Sequence, residues 1–290
     1  MQEKTLLDIL NLSADYLKKH DVKDPRLNAE IIISGALDMK RLDLYLQYDR
    51  MISEEELAKL RPLLKRSSNN EPIQYIQGEK EFYNAKLMVN EHTLIPRNDT
   101  EILVEEVIKY VSTQTFRILD IGTGSGCIPI AIAKECSNNI FFASDISSEV
   151  LDIARENAGI NDLSGKIKFF KWDLFKNPPS RSKHDIVISN PPYISLRDYE
   201  NLDKNVKDHE PRIALTDEGD GLKFYRRINE IIEKILKPNG MLFLEIGFDQ
   251  ADEVKNIYKE KFEDIKIIKD LGGNDRVFVG SGFTSDLKQF

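Results

Sequence analysis

Residues 185–193 read Asp185-Ile-Val-Ile-Ser-Asn-Pro-Pro-Tyr193, a short apolar run bounded by an acid on one side and a turn signal on the other. Such a run suits a central parallel strand covered on both faces. Asn190-Pro191-Pro192-Tyr193 then falls at the strand's carboxyl end, where open α/β sheets bind their ligands. The two prolines fix φ and remove N–H donors, which holds the backbone extended. The Asn190 side-chain oxygen and the Pro191 carbonyl would offer two acceptors to one NH2 group, and Tyr193 would close a flat group in from one side. This grip suits a planar, neutral nitrogen such as a glutamine amide or an adenine amino group. Its lone pair is delocalised, so it needs positioning more than it needs a base.

Upstream, Ile118-Leu-Asp-Ile-Gly-Thr-Gly-Ser-Gly-Cys127 runs from a strand into a helix. Gly122, Gly124 and Gly126, spaced by Thr123 and Ser125, let the backbone turn sharply and approach a ligand where a Cβ would clash. Nicotinamide and flavin folds use related loops, so the surroundings must decide. Asp145 ends the next strand, Phe141-Phe-Ala-Ser-Asp145, where an acid would accept from both hydroxyls of a ribose. Asp120 could orient the loop or meet an ammonium through a water. Lys171-Trp-Asp173 closes a third strand and puts Trp172 where an adenine ring would lie, although an aromatic there would also serve as core. A dinucleotide would need a pyrophosphate site at the helix start, and nothing in the later half supplies hydride chemistry.

From Phe116 onward strands alternate with helices, the pattern of a parallel sheet covered on both faces. Strands are expected near 116–121, 140–144, 167–171, 185–189, 241–246, 264–268 and 276–280. Helices are expected near 126–136, 148–158, 221–236 and 249–261. The polar stretch from Ser195 to Asp220 carries His209-Glu-Pro-Arg212 and has the length of a lid or binding loop. Residues 1–80 read as a bundle of helices with no visible chemistry. Thr5 caps the first, Pro25 opens the second, and Ser53-Glu-Glu-Glu56 forms a capping box. Residues 81–97 read as a hairpin linker, with weak alternation from Phe82 to Thr93. Asp99 or Asn98 is a candidate cap for the next helix, and Arg97 could meet a carboxylate.

The chain has 290 residues, enough for a main domain of 98–290 and the smaller helical one. A net charge of −8 is the opposite of the basic footprint of a phosphate-binding protein, so direct contact with nucleic acid is not expected. Cys127 and Cys136 read as reduced packing residues, and no metal site is expected. With neither a signal-peptide pattern at the amino terminus nor an apolar run of membrane-spanning length, a cytoplasmic monomer with no membrane contact is the expectation.

Gly122-Thr-Gly-Ser-Gly126, Asp145 and Asn190-Pro-Pro-Tyr193, in this order, resemble the S-adenosylmethionine-dependent methyltransferases of the seven-stranded class. Five further stretches narrow the likeness: Glu71-Pro-Ile-Gln-Tyr-Ile-Gln-Gly78, Leu94-Ile-Pro-Arg97 with Thr100-Glu101, Glu210-Pro with Ala214-Leu215, Gly219-Asp-Gly-Leu222, and Asp270 to Arg276. Together they look like the peptide chain release factor glutamine methyltransferase family. The resemblance implies a Rossmann-like α/β sheet whose last strand is antiparallel, preceded by a small all-helical domain and a hairpin linker; the helical domain, carrying no visible chemistry, is read as docking the substrate. It implies transfer of a methyl group from S-adenosyl-L-methionine, leaving S-adenosyl-L-homocysteine, to the glutamine amide of the Gly-Gly-Gln loop of release factors. Gly122, Thr123, Gly124, Ser125, Gly126, Asp145, Trp172 and Asn190 would hold the cofactor. Asn190, Pro191, Pro192 and Tyr193 would hold the glutamine, with Asn190, Pro191 and Tyr193 acting in the transfer. The chain departs from the family where Asn98-Asp99 follows Arg97 in place of Pro-Glu. Rival readings are an adenine N6-methyltransferase acting on nucleic acid, a non-catalytic S-adenosylmethionine binder, and a nicotinamide oxidoreductase.

Overall fold

The structure is a computed structural model that describes residues 4–112, 114–179 and 182–284. The chain divides into two compact units. The first, Met1–Glu79 with Asp203–His209, contains α1 (Leu6–Lys19), α2 (Pro25–Ala36), α3 (Arg41–Leu46), α4 (Glu54–Ser68) and α5 (Ile73–Gln77). Thr5 and Ser53 cap α1 and α4 with reciprocal bonds to Asp8 and Glu56, and Pro25 opens α2, as expected from their spacing. Leu6, Leu10 and Leu17 of α1 are fully buried, alongside Ile32 and Ile33 of α2 and Leu60 of α4. Burying side chains of this size stabilises by about 1.5–3 kcal/mol each.

The second unit, Lys80–Leu202 with Glu210–Phe290, opens on a two-stranded hairpin, β1 (Glu79–Phe82) and β2 (Ala85–Met88). The hairpin expected within 81–97 therefore starts earlier and is shorter. Its turn is made by Tyr83 at φ +53°, a position that no glycine announces in the sequence. The hairpin is also anchored in this unit, because the Asn157 side chain bonds both the N–H and the carbonyl of Met88, at 2.6 and 3.0 Å.

The remainder is α6 (Thr100–Val111), β3 (Arg117–Ile121), α7 (Cys127–Glu135), β4 (Ile140–Asp145), α8 (Ser148–Ile160), β5 (Ile167–Lys171) and β6 (His184–Ser189). Three single turns follow: α9 (Leu196–Tyr199), α10 (Lys204–Lys207) and α11 (Arg212–Leu215). Then come α12 (Lys223–Ile235), β7 (Leu236–Glu245), α13 (Ala251–Tyr258), β8 (Phe262–Lys269) and β9 (Asp275–Phe283). The sheet runs β5-β4-β3-β6-β7-β9-β8, with β9 antiparallel to both neighbours. The turn between β8 and β9 explains that reversal. Asp270 and Asn274 exchange backbone and side-chain bonds around Gly272 and Gly273, and a turn so short returns the chain antiparallel.

Both faces of the sheet are covered. One face packs against α6, α7 and α8 through residues such as Val104, Ile130 and Phe141. The other packs against α12 and α13, where Ile228, Ile231, Ile232 and Ile235 follow the helical period and are buried. The long stretch after Tyr193 is divided between the units. Asp203–His209, expected inside the sheet domain, belongs to the first unit, where the His209 ring meets the Asn69 carbonyl at 3.0 Å.

Candidate active site

Strand order reverses between β3 and β6, and the ends of these strands define a crevice. Ile121 pairs with Ser189, and Ser189 pairs with Leu244. The residues that follow, Gly122, Asn190 and Glu245, therefore leave the sheet side by side. Ser189 Oγ donates to the Ile121 carbonyl at 2.7 Å and ties the first two exits together.

The glycine loop is pinned to the end of β4. Gly122 and Thr123 both donate to the Ser144 carbonyl at 2.9 Å, and Gly124 donates to Asp145 Oδ2 at 3.0 Å. The other Asp145 oxygen accepts from Ser147 N–H at 3.2 Å. Gly122 and Gly124 have φ of +72° and +55°, and a Cβ built on either would meet no atom within 4 Å. The loop thus presents bare backbone to open space. Gly126 differs: at φ +81° its Cβ would press on Ile130 Cδ1 at 3.1 Å and Ala154 Cβ at 3.3 Å, so it serves helix packing.

Several buried polar atoms around this loop have no protein partner in full hydrogen-bond geometry: both carboxylate oxygens of Asp120, the hydroxyls of Thr123 and Ser125, and Nε1 of Trp172. Unpaired buried groups of this kind cost free energy unless a ligand meets them. Burial pushes Asp120 up to about 7, with the Thr123 hydroxyl opposing. Asp145 is also raised by burial, against the pull of the Gly124 and Ser147 N–H groups. A ligand carrying both an ammonium and ribose hydroxyls matches these donors and acceptors. Trp172 donates its backbone N–H to the Asp145 carbonyl at 2.9 Å, while its ring is 7% exposed and grouped with Leu119, Ile121 and Leu174 in the core. Among the described residues no group of three or more His, Cys, Asp or Glu could hold a metal, and no helix is long and apolar enough to cross a membrane.

At the neighbouring exit the Asn190 side chain donates from Nδ2 to Thr100 Oγ1 at 3.2 Å. Tyr193 donates its hydroxyl to Glu245 Oε1 at 3.2 Å. Burial raises the Tyr193 phenol well above its ordinary range, and the Glu245 charge adds to that. The Tyr193 carbonyl accepts from Gln250 Nε2 at 2.9 Å. Gly221, at φ +82°, fits against it only because it lacks a side chain, since a Cβ there would lie 2.4 Å from the Tyr193 carbonyl oxygen. Gly221→Ala is therefore expected to displace Tyr193 and to destabilise by about 1–3 kcal/mol. A lowered Tm checks this.

Arg97 pairs with the buried Glu210 at 2.6 Å, and Glu210 also accepts from Ile95 N–H at 3.2 Å. This is the carboxylate that the Leu94-Ile-Pro-Arg97 stretch called for. Asp99 occupies the N-cap position of α6 but makes no side-chain cap bond; its carboxylate turns to Arg276 at 3.3 Å, which also holds Asp270 at 3.1 Å. The site residues that sequence reasoning missed are Thr100 and Glu245. A carboxylate ending the apolar run Met241-Leu-Phe-Leu-Glu245 was the available signal, since Asp145 ends its strand in the same way and Asp120 lies one residue before the end of its own.

Residues 8–78 match the family described as the PrmC N-terminal domain, and residues 98–208 match that described as the methyltransferase small domain. Over 276 residues the chain is 42% identical to the release factor glutamine methyltransferase of Fusobacterium nucleatum, covering 94% of this chain and 78% of the relative. The chain belongs to the release factor glutamine methyltransferase family. The family member from Geobacter sulfurreducens is 36% identical, with 95% of this chain and 96% of the relative covered. In fold, the catalytic domain of hMettl16, solved with a MAT2A 3'UTR hairpin, superposes with a TM-score of 0.57 at 17% identity, covering 82% of this chain and 86% of that one. A methyltransferase from Pyrococcus furiosus gives 0.51 at 18% identity, covering 70% and 91%. These two likenesses concern the fold alone.

Proposed function

We propose that this protein transfers a methyl group from S-adenosyl-L-methionine to the side-chain amide nitrogen (N5) of the glutamine in the Gly-Gly-Gln motif of peptide chain release factors. The observation that carries this reading is the Asn190 amide beside the glycine loop, its Nδ2 engaged by Thr100, which leaves Oδ1 as the end available to a target. Family membership supports the same substrate, since the relatives are named for it.

When bound, the cofactor would supply an electrophilic methyl group on a sulfonium. Asp145 would take the ribose hydroxyls, Asp120 the ammonium end, the Gly122–Gly126 backbone would line the cradle, and Trp172 would offer its indole N–H. Asn190 Oδ1 and the Pro191 carbonyl accept from the target NH2, whose N–H bonds grow more acidic as nitrogen attacks. Both contacts therefore strengthen toward the transition state. Tyr193 closes over the amide and excludes water. The departing thioether would be neutral and need no acid, the methylated nitrogen would give up one N–H proton to solvent as the product leaves, and alignment would supply most of the rate. Docking of the release factor falls to the first unit, which carries no visible chemistry.

Incubation of a purified release factor with this protein and S-adenosyl-L-methionine, followed by peptide mass spectrometry, tests the assignment. One added methyl on the Gly-Gly-Gln glutamine is expected; an unmodified peptide would refute it. A second expectation concerns pH. An ammonium favours the ionised form of Asp120, which the free protein holds as the acid below about 7. Cofactor affinity should thus be level above that pH and weaken by roughly tenfold per unit below it. Calorimetry across that range checks the slope, and Asp120→Asn should flatten it.

A further inference from the structure

Gln250 occupies the N-cap position of α13, yet its side chain caps nothing there and reaches back to the chain that follows β6. Its Nε2 donates to the Tyr193 carbonyl at 2.9 Å and lies 3.4 Å from the Gly221 carbonyl, while its Oε1 accepts from the Gly247 N–H at 3.0 Å. Main-chain groups cannot exchange donor for acceptor, so they specify both ends of this amide. Two glycines make room for it: a Cβ on Gly247 would lie 2.9 Å from Oε1, and one on Gly221 would lie 2.7 Å from Nε2. The far end of Tyr193 is held as well. Its hydroxyl donates to Oε1 of Glu245, which is 1% exposed and ends β7, at 3.2 Å. Tyr225 joins the two holders, since its hydroxyl donates to the Glu245 carbonyl at 2.9 Å and lies 3.4 Å from Gln250 Oε1.

Resting on the reading that the target amide is held between Asn190 and Tyr193, we infer that Glu245 and Gln250 are positioning residues that clamp Tyr193 at two points, its hydroxyl and its main-chain carbonyl, and so set the ring as one wall of the acceptor site. A hydroxyl has one hydrogen to give, and here Glu245 receives it. Tyr193 therefore offers the target its ring and not a proton. Tyr193 is itself only half-buried, so without the clamp the ring would be free to turn out to solvent. Both holders belong to one segment, the end of β7 and the start of α13, which refers the wall to the strand next to the one that carries Asn190. A displacement of the wall by about 1 Å is enough to cost alignment in the transfer.

The test combines single-turnover methyl transfer to a purified release factor with NMR of the tyrosine hydroxyl protons. Tyr193→Phe keeps the ring and drops the tether, and Glu245→Leu drops it from the other side. Each is expected to lower the single-turnover rate about 10–10²-fold, while affinity for S-adenosyl-L-methionine changes less than about threefold. The double variant Tyr193→Phe/Glu245→Leu should lose no more than either alone, because both remove one bond. Glu245→Gln keeps an acceptor for the hydroxyl and should recover most of the rate lost in Glu245→Leu, a rescue that a role for the charge would not give. Gln250→Leu, which frees the Tyr193 carbonyl, should lose rate to a similar degree. The Tyr193 hydroxyl proton should be protected from exchange in the wild type and in Glu245→Gln, and unprotected in Glu245→Leu. Additive losses in the double variant, or equal protection of that proton in Glu245→Leu, overturn the clamp. Should Glu245→Leu fail to fold, Tyr193→Phe and Gln250→Leu carry the test, and a wild-type rate in either overturns it. If the wild type leaves the release factor unmethylated, the substrate reading falls, and the clamp is then decided by the hydroxyl proton alone.

Discussion

Replacing Asn190 by Ala is expected to lower kcat for methyl transfer by about 10²–10³-fold, the usual consequence of removing one preorganised partner whose bond strengthens as charge develops. The lost acceptor is Oδ1, the amide end left for the target once Nδ2 is engaged by Thr100 at 3.2 Å. Cofactor affinity should change little, since the glycine loop is pinned to the end of β4 by Ser144 and Asp145 and does not depend on Asn190. Asn190→Asp is the finer variant. It keeps an acceptor facing the target but gives up the donor to Thr100, so partial activity is expected rather than none. Single-turnover kinetics separate these outcomes, and a wild-type rate for Asn190→Ala would reduce Asn190 to a turn residue.

The sheet was legible because its signals are local. Most parallel strands are apolar runs closed by a polar residue at the carboxyl end, and each expected strand and helix after Phe116 lies within a few residues of its observed position, apart from β7, which begins at Leu236. There the chain enters the strand through Lys237-Pro-Asn-Gly240, residues that read as a turn, and the ladder is irregular between His184 and Ile186. The hairpin was misplaced for a related reason, since Tyr83 adopts a left-handed conformation that its residue type does not advertise.

The acceptor site was only half legible. Asn190 to Tyr193 is a contiguous motif, whereas Thr100, Glu245 and Gly221 reach it from distant parts of the chain. Their roles follow from strand order and register, which no single stretch encodes. Arg97 announced that it sought a carboxylate, but only the fold could pick Glu210 from the many acids present. Asp99 shows the limit of propensity: its residue type suits a cap, yet the Arg276 guanidinium competes for the same carboxylate and takes it. Asp203–His209 is the clearest non-local case. A polar stretch in the middle of the sheet domain carries no mark that its residues belong to the amino-terminal unit.

Asp145→Ala should weaken cofactor binding by about 1.5–3 kcal/mol, or roughly 10–150-fold, because ribose hydroxyls lose a charged acceptor. The geometry adds a second contribution. Asp145 Oδ2 takes the Gly124 N–H at 3.0 Å and Oδ1 takes the Ser147 N–H at 3.2 Å, so this carboxylate also shapes the loop that would receive the ligand. With the side chain truncated, Gly124 at φ +55° is freed from its anchor, and ordering the loop becomes part of the cost of binding. Asp145→Asn divides the two contributions. Its remaining oxygen can accept from Gly124, which preserves the loop, while the charge facing the ribose is gone. Calorimetry with S-adenosyl-L-methionine should therefore rank wild type above Asp145→Asn and Asp145→Asn above Asp145→Ala. Equal affinities for the two variants would mean that loop anchoring contributes nothing. Affinity unchanged from wild type in both would move the ribose to a different acceptor.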